Sequence, residues 1–180
     1  MRKVITFALI LCVILCGCGQ KAPKLGPADM LDSDTGAIYH LGDQKAVFDQ
    51  AFGSGTTNDA TGQVIYLSGS LVVNFDENDS AARIQADGSA ARFSFFGFDF
   101  SKKLEDVEKR YEAHRSAGFD AYHAYYSEDG KSLEIHDAIL LQDYTEHTLF
   151  VSTKDRPDTG LKAGDYMFYS IERRTGYPQP

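Results

Sequence analysis

Gln44-Lys45-Ala46-Val47-Phe48-Asp49-Gln50-Ala51-Phe52-Gly53, followed by Tyr66-Leu67-Ser68-Gly69-Ser70-Leu71-Val72-Val73-Asn74-Phe75, changes its hydrophobic period midway. In the first block Val47, Phe48, Ala51 and Phe52 recur at helical spacing on one face. Asp43 stands where an N-cap is expected, and Gly53 where the chain leaves the helix. A helix this short does not hold together alone in water, so it must pack on something. In the second block Leu71, Val73 and Phe75 point to one face, Val72 and Asn74 to the other. Gly69-Ser70 reads as a tight turn between strands at 63–68 and 71–75. Asp76-Glu77-Asn78-Asp79-Ser80 turns the chain again, and 81–86 returns with Ile84 inward. The stretch predicts a helix covering one face of a three-stranded antiparallel meander.

Working outward, the same plan recurs. After Asp87-Gly88-Ser89 comes a strand at 92–98. Ser101 then caps a helix at 102–115, with Leu104, Val107, Tyr111 and the stem of Arg110 on its buried side. Gly118 ends that helix, and strands follow at 119–126, 133–141, 145–153 and 166–173. Glu128-Asp129-Gly130 makes a hairpin turn, and 154–164 is a loop. The expected fold class is α+β, built of two tandem helix-plus-antiparallel-sheet units at 37–88 and 89–175, with a frayed tail at 176–180. Residue identity between the two units is slight, so what repeats is the plan.

The N-terminus carries a different signal. Arg2 and Lys3 precede an uncharged apolar run, 4–15, that ends in Leu15-Cys16-Gly17-Cys18. This layout reads as a secretory signal at 1–17. The alternative, an uncleaved span, is disfavoured because the run falls short of the ~20 residues that cross a bilayer. The last four residues resemble a bacterial lipobox. That resemblance implies cleavage before Cys18, lipid on Cys18, and a flexible tether through 18–36, where Pro23, Gly26 and Pro27 lie. Each buried methylene adds about 0.8 kcal/mol, and more than one acyl chain gives stable anchoring. The expected location is the extracytoplasmic side of the cell membrane, with Cys18 as the attachment.

Charge narrows the function. Lys and Arg number 18 and Asp and Glu 26, for a formal charge of −8. Loss of Arg2 and Lys3 leaves 16 basic residues and a charge of −10. That balance argues against nucleic acid and against electrostatic adhesion to an anionic membrane. Cys12, Cys16 and Cys18 all sit in the signal region, so the mature part is expected to form no disulfide. Its stability must come from packing, for which 12 Phe and 10 Tyr supply the bulk.

Leu41-Gly42-Asp43, the helix to Phe52-Gly53, the run from Tyr66 to Phe75 and the closing strand at Ile84 together resemble the helix-plus-meander unit of β-lactamase-inhibitor-like proteins. A similar unit builds the small lipoprotein of the outer-membrane β-barrel assembly machinery. The tandem arrangement is closer to the former. The likeness runs over 37–152, with the first copy the better match. It implies action by binding other proteins, on a concave sheet or through exposed hairpin turns. It carries over no individual binding residue. This chain departs from the secreted inhibitors in being lipid-anchored and in having no cysteines for their disulfides.

His123, His136 and His147 fall on consecutive predicted strands, as a zinc site would require. Strand parity sets His136 with Glu134 and His147 with Leu149 and Val151, on opposite faces, so no metal or cofactor is implied. His40 and His114 are isolated. No Gly-x-Ser-x-Gly elbow is present, and Gly53-Ser54-Gly55 lacks the lysine of a phosphate loop. Asp76, Glu77 and Asp79 form an acidic hairpin tip that lacks the closing Glu of a calcium loop but, as a projecting tip, is a candidate for a protein contact. Aromatic residues are the richest class: Tyr122, Tyr125, Tyr126, Tyr144, Tyr166, Phe168 and Tyr169 crowd the second unit. Facing outward they favour recognition, and facing inward they are core. The expected partner-binding set is Tyr122, Tyr126, Tyr144, Tyr166, Phe168, Asp76 and Asp79. The expected function is non-enzymatic: a membrane-anchored module binding an envelope or secreted protein in an inhibitory or scaffolding role. Peptide or glycan capture is the alternative, with a metal-dependent envelope enzyme behind it.

Overall fold

The computed structural model describes residues 23–88, 91–111, 115, 121–133 and 143–176. The expected signal, Cys18, His114, His136, most of the 133–141 strand and most of the tail lie outside them. The described elements run β1 (Asp29–Asp32), β2 (Ile38–His40), α1 (Lys45–Phe52), β3 (Thr56–Thr57), β4 (Val64–Tyr66), β5 (Leu71–Phe75) and β6 (Ala81–Asp87). They continue as β7 (Phe93–Phe95), β8 (Phe98–Asp99), α2 (Leu104–Tyr111), β9 (Ala121–Tyr126), β10 (Tyr144–Val151) and β11 (Tyr166–Arg174). The fold is mixed α+β, and strand predominates.

The strands form two antiparallel sheets. One has seven strands in the order β3-β4-β5-β6-β11-β10-β9, and the other four, β2-β1-β7-β8. The halves of the chain meet at β6 and β11, where Ile84 pairs with Ile171 and Gln85 with Ser170. A Cβ on Gly88 would stand 1.9 Å from the Tyr166 carbonyl oxygen, so only glycine lets β6 run on so close to β11.

Alternation decides which face is core. Leu71, Val73, Ile84, Ala86, Leu149, Tyr169 and Ile171, all 0% exposed, line the inner face of the large sheet. Phe48 of α1, Phe95 and Phe98 of the small sheet and Tyr111 of α2 pack on that face and are themselves buried. On the other face of the strands stand Ile65, Val72, Asn74, Arg83, Gln85, Glu146, Thr148, Phe150, Phe168 and Glu172, all half-buried.

Several local expectations are corrected. The tether was expected to reach residue 36, yet β1 begins at Asp29 and buries Met30 and Asp32 completely. The 92–98 strand is broken at Phe96-Gly97 into β7 and β8, which pair with each other while β7 also pairs with β1. The residue before α1 is Gln44, not Asp43; the Asp43 carboxylate instead accepts the His40 N–H at 2.7 Å. Only Phe48 of α1 is buried, and Val47 is 42% exposed. Ser101 lies before α2 and bonds Asp99 instead of capping the helix. The link from β4 to β5 is a 3-10 turn over Leu67–Gly69 in which Leu67 and Ser68 take φ of 50° and 57°. Among the described residues no helix is long and apolar enough to cross a membrane.

Candidate functional site

The outer face of the large sheet is built by strand parity. Even-numbered residues of β10 and β11 share it: Glu146, Thr148 and Phe150 beside Glu172, Ser170 and Phe168. Phe150 and Phe168 are register partners, and their rings stack with centroids 4.3 Å apart at 28°. Next along β10, the Glu146 carboxylate meets His123 Nδ1 at 2.9 Å and Arg174 Nε at 2.9 Å. Burial alone would raise the Glu146 pKa, but those two hydrogen bonds and the Arg174 charge outweigh it and hold the carboxyl below its ordinary range. Arg174 also reaches Glu172 through Nη1 at 3.2 Å. On the central strand, Arg83 Nη2 donates to Gln85 Oε1 at 3.0 Å and to Ser170 Oγ at 3.4 Å. The partners of Phe150, Phe168, Glu146, Arg174 and Arg83 all belong to the sheet itself. An aromatic pair, amides, hydroxyls and paired charges on one broad face make a surface suited to another macromolecule.

The inner face holds a second polar constellation. His147 is completely buried; its Nε2 lies 2.8 Å from the Pro27 carbonyl and its Nδ1 2.7 Å from the Tyr169 hydroxyl. A carbonyl only accepts, so Nε2 carries the proton, Nδ1 accepts from Tyr169, and Tyr169 in turn accepts from Tyr111 at 2.8 Å. Burial pushes the His147 pKa down to about 3; the Pro27 carbonyl opposes this and the Arg110 charge adds to it. Burial likewise lifts Tyr111 to about 12 and Tyr169 well above its ordinary value, so both stay protonated. Arg110 bonds the Tyr126 hydroxyl and lies over the rings of Phe96, Tyr111 and Tyr126. Gly97 makes room for it, since a Cβ there would fall 1.9 Å from Arg110 Nη1. The run from Tyr111 through Tyr169 and His147 to Pro27 pins Pro27, β10, β11 and α2 together.

The predicted partner-binding residues scatter over these surfaces. Tyr122 and Tyr126 are corrected to core: they are 5% and 4% exposed on the inner face, bonded to Glu108 and Arg110. Tyr144 lies on the outer row, edge-on to Tyr125 at 5.8 Å, but is only 8% exposed. Tyr166 is half-buried against Phe98 and Phe100, and its hydroxyl donates to the Lys102 carbonyl at 2.6 Å. Of the predicted partner-binding aromatics, Phe168 alone joins the outer face partly exposed. Asp76 and Asp79 are exposed at the β5–β6 tip, where Asp76 Oδ1 accepts the N–H groups of Asn78 and Ser80 at 2.8 and 2.9 Å. That carboxylate shapes the turn. Phe150, Glu146 and Arg174 were legible in the strict alternation of β10 and β11, and Arg83 in that of β6, but no motif marks any of them.

His123 and His147 stand on neighbouring strands yet on opposite faces of the sheet. Among the described residues no group of three or more His, Cys, Asp or Glu is placed to hold a metal. Comparison with known proteins finds no family model, no curated relative and no solved structure that matches this chain.

Proposed function

We propose that this chain is an exported lipoprotein, held by lipid on Cys18 to the extracytoplasmic side of the membrane, that binds an envelope or secreted protein on the outer face of its large sheet and catalyses nothing. The observation that carries the reading is the Phe150–Phe168 stack set among polar side chains on a broad sheet face, with α1, α2 and the small sheet packed on the opposite side among the described residues. Aromatic anchors ringed by polar groups are what protein interfaces concentrate. The recurrence of a helix followed by antiparallel strands, with both halves joined in one sheet, supports a tandem arrangement like that of β-lactamase-inhibitor-like proteins.

The test is affinity capture from detergent-solubilised envelope, using residues 19–180 without lipid as bait and heat-unfolded bait as control. One protein retained by the folded bait, and lost with the double variant Phe150→Ala/Phe168→Ala, is the expected result. The variant's far-ultraviolet circular dichroism must match the parent. Retention of the same protein by the double variant would move the binding surface elsewhere. Binding of short peptides or glycans with no macromolecule captured would replace the reading with ligand capture. Incorporation of labelled palmitate by the parent, and none by a Cys18→Ser variant, tests the anchor.

A further inference from the structure

The outer face distributes its charges unevenly. Arg174 is shared by two glutamates, Glu146 through Nε at 2.9 Å and Glu172 through Nη1 at 3.2 Å. Among the described residues Arg83, on the central strand, pairs with none. Glu172 is its register partner across β6 and β11, yet is turned to Arg174 on its own strand. Among the described residues no carboxylate lies within ion-pair distance of Arg83, and its side chain is held by two neutral groups, Gln85 Oε1 and Ser170 Oγ. Its Nε is sealed from solvent without a hydrogen-bond partner, while the residue as a whole is only half-buried. A guanidinium held by neutral neighbours, with the carboxylates of its face outside ion-pair distance among the described residues, is a cation kept in place without a direct counter-ion. A buried donor without a partner is rare enough to need a reason. Fixing the plane of the guanidinium in advance is such a reason, because a planar fork set in one orientation selects a planar carboxylate.

Resting on the protein-binding reading above, we infer that Arg83 is the charge-recognition point of the outer face and receives the carboxylate of an acidic side chain from the partner protein. Val72 and Asn74 on β5 and Phe150 and Phe168 on β10 and β11 supply apolar and amide contacts on the same face. The partner surface is therefore an acidic residue flanked by apolar ones. A carboxylate is favoured over a phosphate group because Glu146, Glu172 and Asp87 stand on the same face and repel a doubly charged anion more than a single charge.

The experiment follows the arginine side-chain Nε–H resonances of the full-length chain in detergent micelles during titration with acetyl-Phe-Glu-Phe-amide. Acetyl-Phe-Gln-Phe-amide and inorganic phosphate serve as controls. The Arg83→Gln and Arg83→Lys variants assign the signal and test the fork. The expected result is a saturable shift of the Arg83 resonance by the glutamate peptide, with binding at least tenfold weaker for the glutamine peptide and for phosphate. Both Arg83 variants should lose the peptide, the glutamine variant more completely. Equal response to the two peptides, tighter binding of phosphate, or unchanged peptide binding by Arg83→Gln would each overturn the inference. The two proposals fail separately. Partner capture that Phe150→Ala/Phe168→Ala abolishes but Arg83→Gln leaves intact removes the role of Arg83 and keeps the binding face. A saturable peptide shift with no partner captured does the reverse.

Discussion

The two ends of the inner face are filled in opposite ways. Under α1, Phe48 is surrounded by Tyr39, Phe52, Tyr66 and Phe75 at centroid distances of 5.5 to 6.4 Å, and a hydroxyl of this group is satisfied at the rim, where Tyr66 donates to Asp49 at 2.9 Å. Under α2 the rings are just as dense, but their hydroxyls and an imidazole are chained together in the interior, from Tyr111 through Tyr169 and His147 to Pro27. The first end is held by apolar burial, which is non-directional and indifferent to pH. The second depends on each donor meeting its acceptor and on one histidine staying neutral. One sheet thus carries a core that responds to volume and a core that responds to protons.

The largest effect should come from breaking the apolar end. Phe48 is 0% exposed. Phe48→Ala should cost about 3–5 kcal/mol in urea unfolding at pH 7, and the loss should be the same at pH 5. A loss that grows toward acid would mean the two ends are not independent.

Acid is the corresponding lever on the polar end. His147 is neutral when folded, with its pKa pushed down to about 3, and takes a proton when unfolded near 6.5. Below pH 6.5 the unfolded chain therefore binds more protons than the folded one, and stability falls with falling pH. The slope is about 1.4 kcal/mol per pH unit, so roughly 2–3 kcal/mol is lost between pH 6 and 4. Asp32, Asp49 and Glu146, whose pKa values are lowered, add losses of the same sign but chiefly below the ordinary carboxylate range. His147→Gln removes the ionisable group, and its stability should be flat over that window relative to the parent. Parallel curves for the two proteins would assign the acid loss to other groups.

How much of this was legible in sequence follows the range of the interaction. Parity of 71–75 and of Ile84 is local, and the structure buries Leu71, Val73 and Ile84 at 0% as the alternation predicts. His147 sharing the buried side with Leu149 and Val151 was legible for the same reason. The residues 29–32 were not, because Pro23, Gly26 and Pro27 mark a loop and nothing local announces that Asp32 is to be buried. Its burial rests on Arg92, sixty positions away, which donates to both carboxylate oxygens at 2.6 Å. Burial would raise the Asp32 pKa, but the bonds from Arg92, Thr35 and the Asp34 N–H prevail and lower it. The tyrosines misled for a related reason. A tyrosine in a strand reads equally as surface or core until its hydroxyl partner is known, and Tyr122 and Tyr126 find theirs on α2.

A matched pair of tyrosine substitutions sharpens the contrast with smaller effects. Both Tyr169 and Tyr66 are buried and both lose one hydroxyl on mutation to Phe. In Tyr169→Phe the missing oxygen strands His147 Nδ1 and the Tyr111 hydroxyl in an interior that water does not reach, and leaving buried groups unpaired costs about 1–3 kcal/mol. In Tyr66→Phe the partner is Asp49, whose carboxylate remains bonded to Lys45 at 2.6 Å and half-exposed, so no buried charge is left alone. That loss should stay near the net worth of one hydrogen bond, about 1 kcal/mol. Burial, which holds the His147 pKa down, survives both substitutions, so both variants should keep the acid slope between pH 6 and 4. Equal costs for the two variants would mean that the hydroxyl chain contributes only volume, and the division of the core into an apolar and a hydrogen-bonded end would fall.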